Sequence, residues 1–435
     1  MGIGLDIFPD IPSRPCSETS LQSVICDHLS PDIPPDNKTR SSMPEFADHQ
    51  LTVETARFGP FTFQVGVGAA AVETALLRVG DAHQRFQGSP LAQVAGQLER
   101  EVVTTSVFGT NSIEGGTLSE QETQEALDLD PSGVQDLERR RVLDIKAAYD
   151  LAGRTVTEAD WRLDLPFIRS LHAAITTGIP HQHNQPGVLR DNPKTIVTQV
   201  GDQAHGGRYK PPQFGGDVRL LLDALLRWHQ ELVDLKVPVL IRAPLVHYYY
   251  ECIHPFWDGN GRVGRVIEAS LLLREGFKYA PFAQARFYLD QIDRYFTLFN
   301  TCRKAADKGA AAPNTDFVLF FLEGMLTSLN TLHDRVNRLV HLLLFENDLK
   351  RRHEEKRINA RQYAIATQIL QAGGPVALTE LRRAPWYRAL YLERTDKTKQ
   401  RDLQGLREQG LVVWDKGNRL WAGVSRLDAE HHFVS

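Results

Sequence analysis

The chain has 435 residues, enough for two or three domains with hydrophobic cores of ordinary size. Hydrophobic residues make up 42% of it and charged residues 24%, and its net charge of -4 gives neither the basic excess of a nucleic-acid binder nor a sign of membrane attachment. The four cysteines fit no disulfide framework or zinc site, and no apolar run has the length of a membrane span or the pattern of a signal peptide. We therefore expect a soluble, cytoplasmic protein.

The N-terminal part divides into two segments. Residues 1–50 are rich in Pro, Ser and Asp and lack periodicity, which predicts a disordered segment, and Met43 is an alternative start of translation. Residues 51–130 form a predicted N-terminal helical region, because apolar residues recur there at helical spacing. Gly115 is typical of the residue that ends a helix.

Residues 131–335 are the predicted core, in which the apolar pattern predicts helices over 131–154, 163–175, 218–235, 241–253 and 317–332. Between Pro186 and Pro212, β-branched residues and glycine-containing turns predict a single β-hairpin. A two-stranded hairpin is only marginally stable alone, so we expect it to pack against the helices. The predicted fold is mainly α: a helical bundle with one β-hairpin flap and a small C-terminal domain.

Twelve residues between two predicted helices carry the chemistry, 254–265, with the sequence His-Pro-Phe-Trp-Asp-Gly-Asn-Gly-Arg-Val-Gly-Arg. Glycines that open a helix let backbone N–H groups converge on an anion, and Arg262 and Arg265 share one side of its first turn, where they can hold phosphates. Asp258 offers the hard oxygen that Mg²⁺ takes beside nucleotide phosphates. His254 can accept a proton from a hydroxyl. The stretch therefore predicts a phosphate-binding loop with a general base.

This stretch resembles the signature of the Fic family, His-Pro-Phe-x-Asp-Gly-Asn-Gly-Arg-x-x-Arg, at every defined position. Most members transfer AMP from ATP to a hydroxyl side chain of a protein. The resemblance implies ATP and Mg²⁺ as cofactors, with His254 as the general base and Asp258 as the metal ligand. It also implies that the loop binds the nucleotide, with Asn260 in the anion hole and two arginines as phosphate clamps; the residues are Asp258, Gly259, Asn260, Gly261, Arg262, Val263, Gly264 and Arg265. The related Doc-type kinases carry Lys at the position of Gly261, so Gly261 favours nucleotidyl transfer over phosphorylation.

The resemblance extends to a regulatory motif and to the flap. One class of Fic proteins carries an inhibitory motif, Ser/Thr-x-x-x-Glu-Gly/Asn, upstream of the core, and Thr110, Glu114 and Gly115 match it. This implies that Glu114 pairs with Arg265 and occupies the room of the γ-phosphate. In the family the flap covers the nucleotide and pairs with the target main chain. This implies nucleotide contacts by residues of the first strand: Ile196, Val197, Thr198 and Gln199. Tyr295, on a later helix, either flanks the adenine or belongs to the core.

The C-terminal part reads as a charged helix or linker, residues 336–361, followed by a domain of residues 362–435. Three helices and two strands around a tight turn make that domain similar to a winged helix, as found behind many Fic cores. In its candidate recognition helix the basic residues are balanced by acidic ones, which weakens the prediction of DNA binding. A protein-docking or structural role of this domain is therefore slightly favoured over DNA binding.

The predicted function is that of a protein adenylyltransferase, autoinhibited by Glu114, that modifies Ser, Thr or Tyr hydroxyls of a protein target or of itself. Two alternatives stay open: a winged-helix DNA-binding regulator with the Fic core as a sensor, and a Fic transferase with another nucleotide donor. The intact His254 argues against the first, since a core without activity does not need its base. The sequence leaves the target and the oligomeric state open.

Overall fold

A computed structural model of the chain describes residues 48–91 and 94–425. These residues form two compact units, one of residues 48–89 and 95–333 and one of residues 90–91, 94 and 334–425. Most of the predicted disordered segment lies outside the described residues. None of the helices in the described part combines the length and the apolar character that crossing a lipid bilayer requires.

An antiparallel hairpin opens the first unit, where β1 (Gln50–Glu54) pairs with β2 (Pro60–Gln64). Phe61 and Phe63 alternate along β2 and are both buried, and the Phe63 ring lies 5.9 Å from the ring of Trp228. The structure differs here from the expectation of a helical region beginning at residue 51. The alternation of aromatic and polar residues in β2 is the sequence signal for this hairpin.

Helices make up most of the rest of the first unit: α1 (Ala69–Gln87), α2 (Ala95–Ile113), α3 (Glu120–Leu127), α4 (Leu137–Thr155), α5 (Leu165–Thr176), α6 (Gly215–Asp234), α7 (Val239–Ile253), α8 (Asn260–Arg274), α9 (Ala280–Asp290), α10 (Ile292–Asp307) and α11 (Thr315–Glu354), whose last part belongs to the second unit. The predicted mainly helical fold is confirmed. α7 and α8 pack against each other and are buried along almost their whole length, as their apolar composition requires. The loop between them is thereby held in the centre of the unit.

Helix α2 approaches α9 at backbone distance. A Cβ at Gly109 would lie 2.8 Å from the carbonyl carbon of Ala285, so only glycine permits this approach. The helix ends at Ile113, followed by Gly115 at φ +80° in the predicted capping role, and the Glu114 carbonyl accepts a hydrogen bond of 3.0 Å from Arg141. The C-terminal end of α2 is therefore fixed to its neighbours.

The flap is predicted between Pro186 and Pro212. Its later part, residues 196–212, which we call the flap segment, forms one antiparallel bridge between Val200 and Tyr209. Its first strand does not form, because side chains take the backbone groups that a partner strand would bind. Gln213 Oε1 accepts from the N–H of Thr198 at 2.8 Å, and Asn192 Nδ2 donates to the carbonyl of Ile196 at 3.2 Å. The prolines at its far end also lack an N–H for pairing.

Besides the last part of α11, the described residues of the second unit form the helices α12 (Ala360–Gln371), α13 (Leu378–Arg383), α14 (Pro385–Leu390) and α15 (Asp396–Glu408). They also form the strands β3 (Val376–Ala377), β4 (Val412–Trp414) and β5 (Arg419–Ala422), in a sheet of order β3-β5-β4. The core of this unit includes Ile365, Leu406 and Leu420, all fully buried. Asp402 of α15 is buried and binds Arg361 at 2.8 Å and Tyr391 at 3.0 Å. This acidic residue thus serves the packing of α15 and is not available to a ligand.

Candidate functional site

Two residues with left-handed backbone conformation lie at the ends of the loop between α7 and α8. His254 closes α7 with φ 51° and ψ 63°, and its N–H donates to the carbonyl of Tyr250 at 2.8 Å. Gly259 precedes α8 with φ 76°, a conformation that glycine adopts without strain. No side chain caps the N-terminus of α8, so its first N–H groups face outward with their partial positive charge. The sequence therefore builds an anion-binding helix end next to a histidine.

Side chains brace this loop from inside. Asn260 is buried, and its amide both accepts from the N–H of Phe256 and donates to the carbonyl of Phe256, each at 2.9 Å. These two hydrogen bonds hold the Asn260 side chain within the loop, and the place of Asn260 in an anion hole stays a prediction. His172 of α5 stacks on the Phe256 ring at 3.7 Å between centroids.

His172 also fixes the loop through its ring nitrogens. Its Nδ1 accepts from the N–H of Gly187 at 2.8 Å, so the proton resides on Nε2, which lies 3.1 Å from the carbonyl of Asp258. Burial lowers the pKa of His172 to about 4, which keeps the ring neutral and in this tautomer. Sequence reasoning missed this residue, because an isolated histidine on an apolar helix face gives no pattern.

Arg190 is a second residue that sequence reasoning missed. Its side chain is fully buried and, instead of a carboxylate, binds carbonyls: His254 at 2.6 Å, Ile253 at 3.2 Å and Pro212 at 2.5 Å. Burial lowers its pKa to about 10, which still leaves it charged at neutral pH. Arg190 thus ties the backbone of His254 to the end of the flap segment.

Asp258 and Arg262 form an ion pair within the loop. The distance from Arg262 Nη2 to Asp258 Oδ2 is 2.8 Å, and the Asp258 side chain keeps 33% of its surface exposed whereas that of Arg262 keeps 3%. Burial raises the pKa of Asp258, but the charge of Arg262 and the N–H of Gly259 outweigh this and the net shift is downward. Asp258 is therefore ionised at neutral pH and open to solvent on one side.

Glu114 reaches the loop from the end of α2. Its Oε1 lies 2.7 Å from Nη2 of Arg265, and the same nitrogen donates to the carbonyl of Thr110 at 3.3 Å. Burial lowers the pKa of Arg265, but the charges of Glu114 and Tyr295 outweigh it and raise the pKa above its ordinary value. The two residues are 151 positions apart in the chain, so this pair is a product of the fold.

The Glu114 carboxylate also lies directly against Gly261, in the space that a Cβ there would fill. Gly261 is in the first turn of α8, whose N–H groups face an anion. The Glu114 carboxylate therefore lies at the helix N-terminus, in the position where an anionic ligand would bind. A lysine at position 261 would not fit beside it.

A cavity of ≈ 330 Å³ adjoins the loop. His254, Gly261 and Arg265 line it together with Glu114. The flap segment contributes Val200, Gly201, Asp202, His205 and Tyr209, and α10 contributes Tyr295, Phe296, Phe299, Asn300 and Arg303. The lining thus combines charged groups with aromatic rings, which suits a phosphate-bearing ligand with a planar base.

The part of the flap segment that lines the cavity differs from the part predicted to contact the nucleotide. Residues 196–199 do not line it, because the bonds to Asn192 and Gln213 hold them at the base of the flap segment, and Val197 is 53% exposed. The lining residues follow the Val200–Tyr209 bridge instead. Asn300 on α10 holds this part by donating to the carbonyls of His205 and Gly207, at 3.0 and 2.8 Å.

Tyr295 lies at the floor of the cavity and is only 2% exposed. Its ring stacks on Tyr288 at 4.6 Å, and its hydroxyl lies 3.1 Å from Nε2 of His247, whose Nδ1 lies 2.8 Å from Glu268. Burial raises the pKa of Tyr295. These contacts describe a core aromatic that also lines the cavity, so the contact of Tyr295 with the adenine stays a prediction.

Comparisons with known proteins agree with this architecture. Residues 162–272 match the model of the Fic/DOC family. The protein adenylyltransferase fic-1 of Caenorhabditis elegans is 25% identical over 214 residues, 48% of this chain and 39% of that protein. The protein adenylyltransferase Fic of Aedes aegypti is 25% identical over 181 residues, 41% of this chain and 34% of that protein. The chain thus spans well under half of the length of these relatives.

A solved structure shows the same fold. The Fic domain-containing signaling protein of Bacteroides thetaiotaomicron VPI-5482 superposes with a TM-score of 0.51 at 19% identity, covering 60% of this chain and 97% of that one. The helical architecture, the complete signature from His254 to Arg265 and the matched range agree with one another. Residues 162–272 of this chain therefore form a domain of the Fic/DOC family.

Proposed function

We propose that this protein is an adenylyltransferase that transfers AMP from ATP to a Ser, Thr or Tyr hydroxyl of a protein. The observation that carries the proposal is the convergence of His254, the open N-terminus of α8 and the buried Arg265 on one cavity whose lining also contains aromatic rings. The names of the relatives, protein adenylyltransferases, support the same reaction. The absence of a side chain at Gly261, where Doc-type kinases have Lys, supports AMP transfer over phosphorylation.

In the proposed reaction the phosphates lie on the N-terminus of α8, with the base toward Phe296 and Phe299. His254 Nε2 takes the proton of the target hydroxyl, whose oxygen attacks the α-phosphorus. The bond from that phosphorus to the bridging oxygen breaks, and pyrophosphate leaves. Arg265 and the N–H groups of α8 stabilise the charge on the phosphates, and most of the acceleration comes from this positioning and charge stabilisation.

The residues of the loop fit a Mg²⁺ ion held mainly by the nucleotide. The described residues contain no cluster of three or more acidic, His or Cys ligands, but Mg²⁺ on nucleotides needs only one or two protein carboxylates beside phosphates and water. Asp258 is ionised and exposed on one side, as such a ligand must be. When bound, the ion neutralises charge on the phosphates.

We expect Asp258→Ala to weaken Mg²⁺-dependent ATP binding by at least about tenfold, because the variant lacks the one carboxylate of the loop. Metal-free ATP should bind as tightly as before or more tightly, since Arg262 is released from its ion pair with Asp258. Titration calorimetry with Mg²⁺ and with EDTA measures both. Asp258→Asn is the matched control that retains a hydrogen-bond acceptor for Arg262 without the charge. Equal losses in both buffers would exclude Asp258 as a metal ligand.

We further propose that Glu114 inhibits the transferase. Its carboxylate neutralises the guanidinium of Arg265 and lies on the helix end that the phosphates need. A triphosphate entering with Glu114 in this position meets a like charge and lacks its arginine. The ligand is then bound out of line for attack at the α-phosphorus.

ATP labelled at one phosphorus tests the transferred group. We expect α-³²P from ATP to appear covalently on this protein, or on a protein of cell extract above the labelling of extract alone, because the AMP moiety carries that phosphorus. With the purified protein, γ-³²P should not appear. Parallel reactions with α-labelled UTP, GTP and CTP test the other donors. Label from γ-³²P ATP would instead identify a kinase, and absence of label from every nucleotide, with both the wild type and Glu114→Gly, would contradict the transferase.

The second unit gives less support to a DNA-binding function. On α15 Lys399 pairs with Asp396 at 2.9 Å, and Arg361 of α12 is held by Asp402. Basic groups that are already paired contribute less to phosphate binding. We therefore propose that this unit docks a protein.

A further inference from the structure

Helix α7 carries one acidic residue in an otherwise apolar and aromatic C-terminal half. Glu251 follows Tyr248, Tyr249 and Tyr250, and its side chain keeps 11% of its surface exposed. Among the described residues its Oε1 has no hydrogen-bond partner. Leaving a buried carboxylate oxygen without a partner costs free energy, so its presence in this helix calls for a function.

The nearest cation-forming group on the same helix face is His254. Glu251 lies three positions before it, and Glu251 Oε2 is 3.5 Å from His254 Nδ1. Nδ1 of His254 is itself buried and without a hydrogen-bond partner among the described residues. The carboxylate and the imidazole nitrogen, each incompletely hydrogen-bonded, thus lie slightly beyond hydrogen-bond distance of one another. Catalytic hydrogen bonds of this kind often shorten only when the substrate is bound.

The loop makes room for this carboxylate. A Cβ at Gly264 would lie 2.8 Å from Glu251 Oε1 and 3.0 Å from Cδ2 of His247. Position 264 is one of the undefined positions of the Fic signature, so the signature itself does not require this glycine. In this chain the glycine permits Glu251 to lie beneath the loop.

We propose that Glu251 is a positioning residue that orients His254 for proton transfer. This inference rests on the proposed function. Glu251 accepts a hydrogen bond from Nδ1–H of His254, which leaves the lone pair on Nε2 to take the proton of the target hydroxyl. The carboxylate stabilises the imidazolium that forms, while the new bond to the α-phosphorus forms and pyrophosphate leaves.

Other charged groups face the same cavity and act on His254 as well: Glu114, Asp202, His205, Arg265 and Arg303. Arg190 also contacts His254, through its backbone carbonyl. These groups are the same in wild type and in a Glu251 variant. A difference between the two proteins therefore reports on Glu251 alone.

The test is the pH dependence of AMP transfer by Glu251→Gln, which keeps the shape of the side chain and removes its charge. We expect a rate about tenfold lower at neutral pH, and an acid limb of the rate profile displaced by about one pH unit to lower pH. The displacement has this direction because a negative charge beside an imidazole favours its protonated form, and the variant lacks that charge. ATP affinity should not weaken, since a negative charge leaves the cavity.

Glu251→Asp and Glu158→Gln complete the set. The Asp variant retains the charge and should keep the acid limb of the wild type with a smaller loss of rate, and it carries the test if Glu251→Gln does not fold. Glu158 is exposed, and its variant should behave as wild type. An unchanged acid limb or a higher rate in folded Glu251→Gln would overturn the inference. Retention of transfer by His254→Ala would instead contradict the proposed function itself.

Discussion

We expect His254→Ala to lower AMP transfer by about a thousandfold or more, because a positioned general base contributes about a hundredfold to ten-thousandfold and its orientation adds to this. ATP binding should remain close to that of the wild type. The phosphates are held by Arg265 and the N-terminus of α8, neither of which depends on the imidazole. The measurements are covalent labelling from α-³²P ATP and titration calorimetry with ATP and Mg²⁺.

The control for this variant is His341→Ala, which removes an exposed histidine of α11 in the second unit and should leave the labelling unchanged. Because His254 closes α7 in a left-handed conformation, His254→Asn is a further variant. Asparagine tolerates that backbone and still lacks a base, so it should be as inactive as the alanine variant. Transfer at the wild-type rate in either variant would exclude His254 as the base.

Glu114→Gly should raise transferase activity by about tenfold or more, because misorientation of the reacting groups alone can cost orders of magnitude. The variant frees the Arg265 guanidinium from an ion pair of 2.7 Å and clears the space against Gly261. Arg265 can then hold the triphosphate with its α-phosphorus in line with the nucleophile. Labelling rates from α-³²P ATP, compared at equal concentrations of folded protein, give the ratio.

Three companion variants separate the causes of this activation. Glu114→Gln keeps the bulk and removes the charge, so its activity should lie between wild type and Glu114→Gly. Glu114→Gly combined with Arg265→Ala should not be activated, because the phosphate-binding group is lost together with the inhibitor. Glu125→Gln changes an exposed glutamate of α3 and should have no effect. Wild-type activity in folded Glu114→Gly would contradict the inhibition, and Glu114 would then be an ordinary glutamate at a helix end.

The sequence located the candidate loop because its elements are local. Twelve adjacent residues contain the base, the metal-type carboxylate and the arginines, and the order glycine then helix is enough to predict an anion site. The pairing of Glu114 with Arg265 spans 151 positions and came from resemblance alone. The role of Arg190 could not be predicted from the sequence, because its partners are backbone carbonyls, which every residue has.

Glu251 did leave a signal in the sequence. A charged residue within a helical run that is otherwise apolar and aromatic must either reach the surface or have a buried partner. The predicted strand of the flap failed for the opposite reason, because residues 195–200 have strand propensity but no sheet to join. Side chains of Asn192 and Gln213 meet its backbone groups instead.

The backbone contact at Gly109 has a consequence for how the protein can be switched. Helix α2 contacts the backbone of Ala285 too closely to move away without opening the core. In the proposed scheme, Arg265 is therefore released by rotation of the Glu114 side chain alone. The work of activation is then that of separating a single ion pair. A partner protein that binds the released form more tightly by about 1.4 kcal/mol raises the ratio of released to inhibited protein tenfold. Even a partner of low affinity can therefore activate the enzyme in this scheme.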